Sequence, residues 1–331
     1  MSQQDPITEK KPEPFDFKKI KRLILLFAIL GVAVMAGLGI YADYNELGNS
    51  VGKFNFAYLP VILMLAPLNY CLRFVKWSYY FKKLGIRIPA KENTAVFAAG
   101  LSMTITPAKV GEFFKSYLLK EFCGIEFSKT APVILMERVT DGIAMIILAS
   151  IGAVVFSYGY AAIIACIVLV GLFVAVVRIR PLALFLIRAL DKIRFLKRFG
   201  TAFENFYHQT YQLTDGVSLL VAIAIGTVSW FFEGVVIFFA LKAFGLDISV
   251  LASVFTVSVS SLVGALSMLP GGLFAAEGSI MGILVLLFGV DRGIASATTV
   301  VTRFSTLWLG VAIGIAGMII VQRMLKKSGR V

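Results

Sequence analysis

The sequence predicts an all-α polytopic membrane protein: six transmembrane spans and two opposed re-entrant helical hairpins, arranged as an inverted repeat. Three observations carry this reading. Of 331 residues, 59% are hydrophobic and only 15% are charged, against about 25% charged in an ordinary soluble domain; mean hydropathy is +0.87. The apolar residues fall into long runs bounded by lysines and arginines. The charges of the second half repeat those of the first at fixed spacing.

Residues 1–17 are polar and carry Pro6, Pro12 and Pro14, the composition of a short disordered tail. Lys18, Lys19, Lys21 and Arg22 precede the first uncharged run, Leu23 to Ala42, which is long enough to cross a core of about 30 Å at about 1.5 Å per residue. It lacks a small-residue cleavage site and reads as an uncleaved span. The second span covers about 56–81 and ends among Arg73, Lys76, Lys82, Lys83, Arg87 and Lys91. The third covers about 130–156 and the fourth about 160–177, with a turn at Ser157–Tyr160 between them. Arg178, Arg180, Arg188, Lys192, Arg194, Lys197 and Arg198 then alternate with apolar residues, as in an amphipathic helix lying on an anionic leaflet. The fifth span is about 216–243 and the sixth about 293–322, followed by Arg323, Lys326, Lys327 and Arg330. Residues 18–325 therefore form one transmembrane domain: repeat 1 at about 56–156, a cytoplasmic connector at about 178–215 and repeat 2 at about 216–322. A short cytoplasmic tail, 326–331, follows.

Loop charge orients the chain. The N-terminus, the 82–91 flank, the connector and the C-terminus are cationic and hence cytoplasmic, and the remaining loops fall outside. Two segments are not simple spans. Thr94 to Thr106 is apolar but too short to cross, and ends at Pro107 and Gly111. Ile248 to Ala276 is uncharged but broken at Pro270-Gly271-Gly272. Both read as re-entrant hairpins with broken tips, tolerated at membrane depth where protein or a wet cavity covers the backbone.

At an offset of 165, Leu101-Ser102-Met103 falls on Leu266-Ser267-Met268, Glu112 on Glu277, and Arg138 on Arg303. At 160, Gly85 falls on Gly245 and Arg73 on Glu233. Three crossings separate the second and fifth spans, so the halves are inverted, the arrangement of many secondary transporters.

Composition excludes several chemistries. His208 is the one histidine and rules out HExxH or multi-histidine zinc sites. Cys71, Cys123 and Cys166 are scattered and form no CxxC pair. No phosphate-binding GxxxxGK[ST] loop is present. No metal, no other cofactor and no catalytic residue is expected, and the chain reads as a non-enzyme. The net charge of +13 belongs to cytoplasmic loops rather than to nucleic-acid binding.

Arg138 and Arg303 lie about ten or eleven residues into their spans, roughly 15–16 Å deep, where an unpaired charge costs at least about 2.5–3.5 kcal/mol. Arg138 has Glu137 and Asp141 nearby; Arg303 has no local acid, and its counter-charge must come from Glu277, from Glu233 or from an anionic substrate. These arginines are candidate ligands for a phosphate, whose geometry suits the guanidinium fork, or else buried ion pairs that fix packing. Arg73, Lys76 and Lys109 are further substrate-binding candidates. At the end of the second span, Arg73, Lys76 and Trp77 read either as interfacial anchors or as a headgroup-capture site. Glu112 and Glu277, each just past a helix break, are either caps or protonatable coupling residues; Glu137, Asp141 and Glu233 complete the coupling candidates. Gly310-x-x-x-Gly314 reads as a packing motif.

The runs Leu72-Arg73-Phe74-Val75-Lys76-Trp77, Pro107-Ala108-Lys109-Val110-Gly111-Glu112 and Glu137-Arg138-Val139-Thr140-Asp141, with Leu269-Pro270-Gly271-Gly272, Glu277 and Arg303, resemble the transmembrane region of lysylphosphatidylglycerol synthases, a flippase-like family of prokaryotic membranes. The resemblance covers about 20–325. It implies a cytoplasmic-membrane location and movement of anionic phospholipids or polyprenyl-phosphate-linked lipids between leaflets, with protons as a candidate coupling ion. The chain stops at Val331, so the soluble aminoacyl-transfer domain of lipid-lysylating members is expected to be absent. Two other readings stay open: a secondary transporter of a small organic anion, and a non-transporting membrane subunit that recruits a lipid-modifying enzyme.

Overall fold

The computed structural model describes residues 52–156 and 200–327, with single positions among 22–37 and 164–179. The expected 1–17 tail, first span, fourth span, cationic segment 178–198 and last four residues lie outside the described residues, save for those single positions. Every regular element described is helical: α1 (Leu59–Lys83), α2 (Ala90–Leu101), α3 (Phe114–Cys123), α4 (Phe127–Phe156), α5 (Gly200–Leu213), α6 (Gly216–Ala243), α7 (Val250–Leu266), α8 (Ala275–Leu286), α9 (Arg292–Arg303) and α10 (Leu309–Lys327). Three segments, Phe56–Lys83, Gly216–Ala243 and Arg292–Lys327, are long and apolar enough to cross a membrane. The chain is a multi-pass membrane protein.

Matching elements end in matching ways. α1 stops at Gly85 (φ 68), whose N–H bonds to Lys82 O, while Ile86 N–H reaches back to Phe81 O. α6 stops at Gly245 (φ 78), with Gly245 bonded to Lys242 O and Leu246 to Leu241 O. Glycine takes the left-handed conformation at little cost, so the last carbonyls are satisfied and the chain turns sharply.

α1 and α6 pack along their lengths in opposite directions: Asn55 N–H bonds to Ala243 O, Tyr79 OH meets Ser218 Oγ at 3.3 Å, and Lys83 pairs with Asp215 at 2.7 Å. At the middle of the crossing Asn69 Nδ2 donates to Ser229 O at 2.9 Å, and Ser229 Oγ donates back to Asn69 O at 3.4 Å. α2 lies on α10, and α7 on α4.

Small residues allow the first of these contacts. A Cβ on Gly314 would stand 2.0 Å from Ser102 N, and one on Gly317 2.6 Å from Ala99 N. Gly314 thus packs as the GxxxG reading expects, and Gly317 extends the contact one turn further. Gly310 makes room for a side chain instead, lying against the hydroxyl end of Tyr70.

Both hairpins break at a proline. Thr106 and Leu269 are extended (ψ 154 and 152), as the residue before proline prefers. Beyond Pro270 the positive-φ positions are Gly271, Gly272 and Phe274 (φ 60, 66 and 67), with Met268 (φ 54) just before the break. Beyond Pro107 they are Ala108 and Lys109 (φ 49 and 56). Gly111, expected as a break residue for its freedom, is wanted for space: its Cβ would lie 2.6 Å from Thr106 Cγ2, and its N–H bonds to Thr106 Oγ1 at 2.8 Å. The two tips meet, with Ala108 N–H bonded to Met268 O at 3.3 Å. The expected sixth span is not one regular α-helix; a π turn, Phe304–Trp308, separates α9 from α10 directly after Arg303.

Candidate functional site

Helical spacing gathers the charges. Arg73 and Lys76 are three residues apart on α1, and Glu137 and Asp141 four apart on α4, so each pair shares a face. Glu112 closes the first broken tip, and Lys115 follows one turn later on α3. These faces converge into one buried network.

Lys76 is fully enclosed; its ammonium is held by Asp141 and reaches Thr140 Oγ1 at 3.3 Å. Lys115 Nζ bonds to Glu137 Oε2 at 2.6 Å, lies 3.7 Å from Glu112 and sits 4.3 Å from the centroid of the Trp77 ring. Arg138 Nη2 is 3.1 Å from Asp141 and 3.3 Å from Glu112. Arg73 approaches Glu112 at 4.0 Å. Glu112 is thus faced by Arg73, Lys115 and Arg138. Lys109, on its left-handed backbone, sits 6.0 Å from the Trp230 ring centroid and has no carboxylate within 4.0 Å among the described residues.

The second half is simpler. Arg303 Nε donates to Glu277 Oε1 at 2.6 Å, and its Nη2 donates to Gly271 O at 2.6 Å. Glu277 is buried in the first turn of α8, near the positive end of that helix. Glu233, in the middle of α6, accepts from Asn69 Nδ2 at 3.2 Å. It lines a narrow crevice with Ala66, Asn69, Tyr70 and Thr306. Tyr70 OH donates to Thr306 O at 2.5 Å, tying α1 to the π turn.

Of the candidate residues, Arg73, Lys76, Glu112, Glu137, Arg138 and Asp141 form one network. Arg303 finds its counter-charge in Glu277, one of the two acids that its spacing offered. Glu137 turns from the adjacent Arg138 to Lys115. Lys115 was not singled out in the sequence, although a cation three residues beyond Glu112 in an apolar stretch was a usable signal. Trp77 is no interfacial anchor: it is fully buried, and its indole N–H donates to Asn93 Oδ1 at 2.7 Å.

Six cations (Arg73, Lys76, Lys109, Lys115, Arg138, Arg303) meet five carboxylates (Glu112, Glu137, Asp141, Glu233, Glu277), leaving one positive charge in excess. Arg73 Nε, Arg138 Nε and Trp230 Nε1 are buried donors that find no acceptor in the structure, and carboxylate oxygens of Glu112, Glu137, Asp141 and Glu277 are buried without a donor. Buried polar groups normally have partners; what favours an anion here is the one positive charge in excess. Around the tips Val110, Leu266, Met268, Leu269 and Phe274 expose apolar side chains. Among the described residues no cluster of His, Cys, Asp and Glu is arranged to hold a metal ion.

Comparison with known proteins agrees with the motifs. A UPF0104 membrane protein of Methanothermobacter thermautotrophicus is 25% identical over 325 residues, covering 91% of this chain and 95% of its own. A second from that archaeon is 24% identical, covering 87% and 90%. A UPF0104 membrane protein of Methanocaldococcus jannaschii is 27% identical over 236 residues, 68% of this chain and 96% of its own. The model of the lysylphosphatidylglycerol synthase TM region matches residues 28–314, and the chain belongs to that family.

Proposed function

We propose that this protein is a lipid flippase, moving an anionic phospholipid or a polyprenyl-phosphate-linked lipid between leaflets by alternating access. The observation that carries the reading is the joining of two surfaces at the broken tips. Buried arginine and indole donors without acceptors lie beside a rim of exposed apolar side chains. An amphiphile needs both, a polar pocket for the headgroup and an apolar path for the tail. A small organic anion would need only the first.

Alternating access draws support from the symmetry of the packing. Asn69 and Ser229 bond reciprocally and are separated by 160 residues, the offset that relates the first-half and second-half helices. Residues that touch their own counterparts lie on a two-fold axis, and the antiparallel crossing of α1 and α6 turns that axis into the membrane plane. The contacts of α2 with α10 and of α7 with α4 are counterparts under the same operation. We read six spans, two opposed hairpins and cytoplasmic termini in a prokaryotic cytoplasmic membrane. Single cysteines at Asn49 and Ser157 should then react from outside, and one at Ser328 only from inside; outside labelling at Ser328 would defeat the inversion.

The functional test is transbilayer movement of a fluorescent phosphatidylglycerol in proteoliposomes, read by quencher access. Wild-type protein should move the probe well above protein-free vesicles. Arg73→Ala and Arg138→Ala should lose about tenfold or more, the loss of one charge-assisted contact of roughly 1.5–3 kcal/mol. Wild-type flux equal to that of empty vesicles would reject the flippase reading.

A further inference from the structure

Four of the five carboxylates at the site have a cationic nitrogen within 3.3 Å. Glu112 has Arg138, Glu137 has Lys115, Asp141 has Lys76 and Arg138, and Glu277 has Arg303. An acid clamped in this way is poorly placed to take and lose a proton at each cycle, because protonation forfeits the ion pair and leaves a buried cation uncompensated. Glu233 differs. Among the described residues it has no cation within 4.0 Å, and its one hydrogen-bond donor is the neutral Asn69 amide at 3.2 Å. It also lines the crevice at the crossing of α1 and α6, beside the reciprocal bonds of Asn69 and Ser229.

The charges that face Glu233 come from both halves. Arg73 and Tyr70 look toward it from α1, Lys109 from the first tip, Asp141 from α4 and Arg303 from the end of α9. α7 brings no titratable side chain, and Tyr58 packs at the far end of α6, against Phe239. Ionised Glu233 therefore supplies a diffuse counter-charge to Arg73, Lys109 and Arg303. When it is protonated, those cations keep their charge and lose that compensation.

We infer that Glu233 binds a proton together with the anionic headgroup, so that the proton is a second cargo and the protein is a proton–lipid symporter. The inference rests on the lipid-transport reading above. The proton adds to a Glu233 carboxylate oxygen on the side where the site is open, and leaves on the other side with the lipid. Linkage fixes the direction of coupling. A proton that frees the cations strengthens headgroup binding, and by reciprocity the bound headgroup strengthens proton binding. The two therefore travel the same way. This assigns the coupling role away from Glu112 and Glu277, which arginine clamps in ion pairs.

The test follows lipid and proton in the same vesicles. Wild-type protein is reconstituted with fluorescent phosphatidylglycerol and a luminal pH dye, and an inward acid gradient is imposed. The expected result is several-fold faster inward lipid movement, with luminal acidification that requires the lipid. Probe affinity should rise as pH falls by up to about tenfold per pH unit, the limit for one linked proton. In Glu233→Gln the probe should still cross, with no response to the gradient and no accompanying acidification. Wild-type lipid movement that ignores the gradient, or gradient-driven acidification that survives in Glu233→Gln, would overturn the proton site while leaving lipid transport standing. Absence of lipid movement in the wild type under every gradient would overturn both. The wild-type proton signal decides the matter even if the variant fails to fold.

Discussion

Arg138 and Arg303 stand 165 residues apart at matching places in the two halves, yet their guanidinium groups are spent differently. Arg303 uses two nitrogens on fixed partners, the Glu277 carboxylate and the Gly271 carbonyl, and so staples the second tip to its neighbouring helix. Arg138 shares one nitrogen between Glu112 and Asp141 at 3.3 and 3.1 Å and leaves Nε without an acceptor. Directly after the breaking proline the second tip has glycine where the first has Ala108 and Lys109, a placement that aims Lys109 toward Trp230; Met268 and Phe274 are the positive-φ side-chain residues of the second tip. A shared plan has become a tip held by the two fixed bonds of Arg303 in one half and a donor-rich tip in the other. The first hairpin is the better candidate for headgroup contact, and Arg303 is better explained by structure than its unpaired look in the sequence suggested.

The inner ion pair of the first half should show the largest effect. Lys76→Ala leaves Asp141 buried with only Arg138, and should cost about 3–5 kcal/mol in thermal or denaturant unfolding. The double change Lys76→Met with Asp141→Leu should recover much of that loss. Next comes the contrast between the arginines. Arg303→Ala should cost about 3 kcal/mol, since it strands a fully buried Glu277, with recovery on adding Glu277→Gln. Arg138→Ala should cost less, about 1–2 kcal/mol, because its side chain is 22% exposed and Glu112 retains Lys115 and Arg73. Equal losses for the two would erase the distinction between the tips.

Backbone strain gives a smaller and opposite pair. Lys109→Gly should stabilise the fold by about 1 kcal/mol while lowering lipid transport, since glycine adopts φ 56 without penalty. Gly271→Ala should destabilise by about 1 kcal/mol; its added Cβ would meet Ile105 and Leu307 at an ordinary 3.4 Å, so the cost is conformational. The smallest effect lies outside both hairpins. Hydrogen bonds from Lys83 and Ser218 hold the Asp215 carboxyl below the usual carboxylate range. A depressed value means that its stabilisation is present above the ordinary carboxylate pKa of about 3.9 and fades as pH falls through the lower folded value. Asp215→Asn should therefore narrow the gap between neutral and strongly acidic unfolding midpoints, and leave the contrast between the arginines unchanged.

The all-helical membrane character, both helix breaks and the pairing of Arg303 with Glu277 were legible because charge and proline stand out against an apolar background. Pair identities were less legible. Spacing indicated the ion pair of Arg138 with Asp141, but nothing local indicated that Glu137 would turn to Lys115, since that contact depends on how α3 folds back on α4. Trp77 looked interfacial from its cationic neighbours; the packing of α2 buries it. The left-handed pair Ala108 and Lys109 was hidden for a different reason: neither residue type favours that conformation, so only the surrounding structure imposes it.

The contact between the tips offers the most direct test of the proposed alternating access. With Cys71, Cys123 and Cys166 replaced by Ser, cysteines at Ala108 and Met268 stand where the two backbones bond at 3.3 Å. Oxidation should join the tips and stop movement of fluorescent phosphatidylglycerol in proteoliposomes, and reductant should restore it. Full cross-linking with undiminished lipid movement would show that the tips never part, and would contradict alternating access between the two halves.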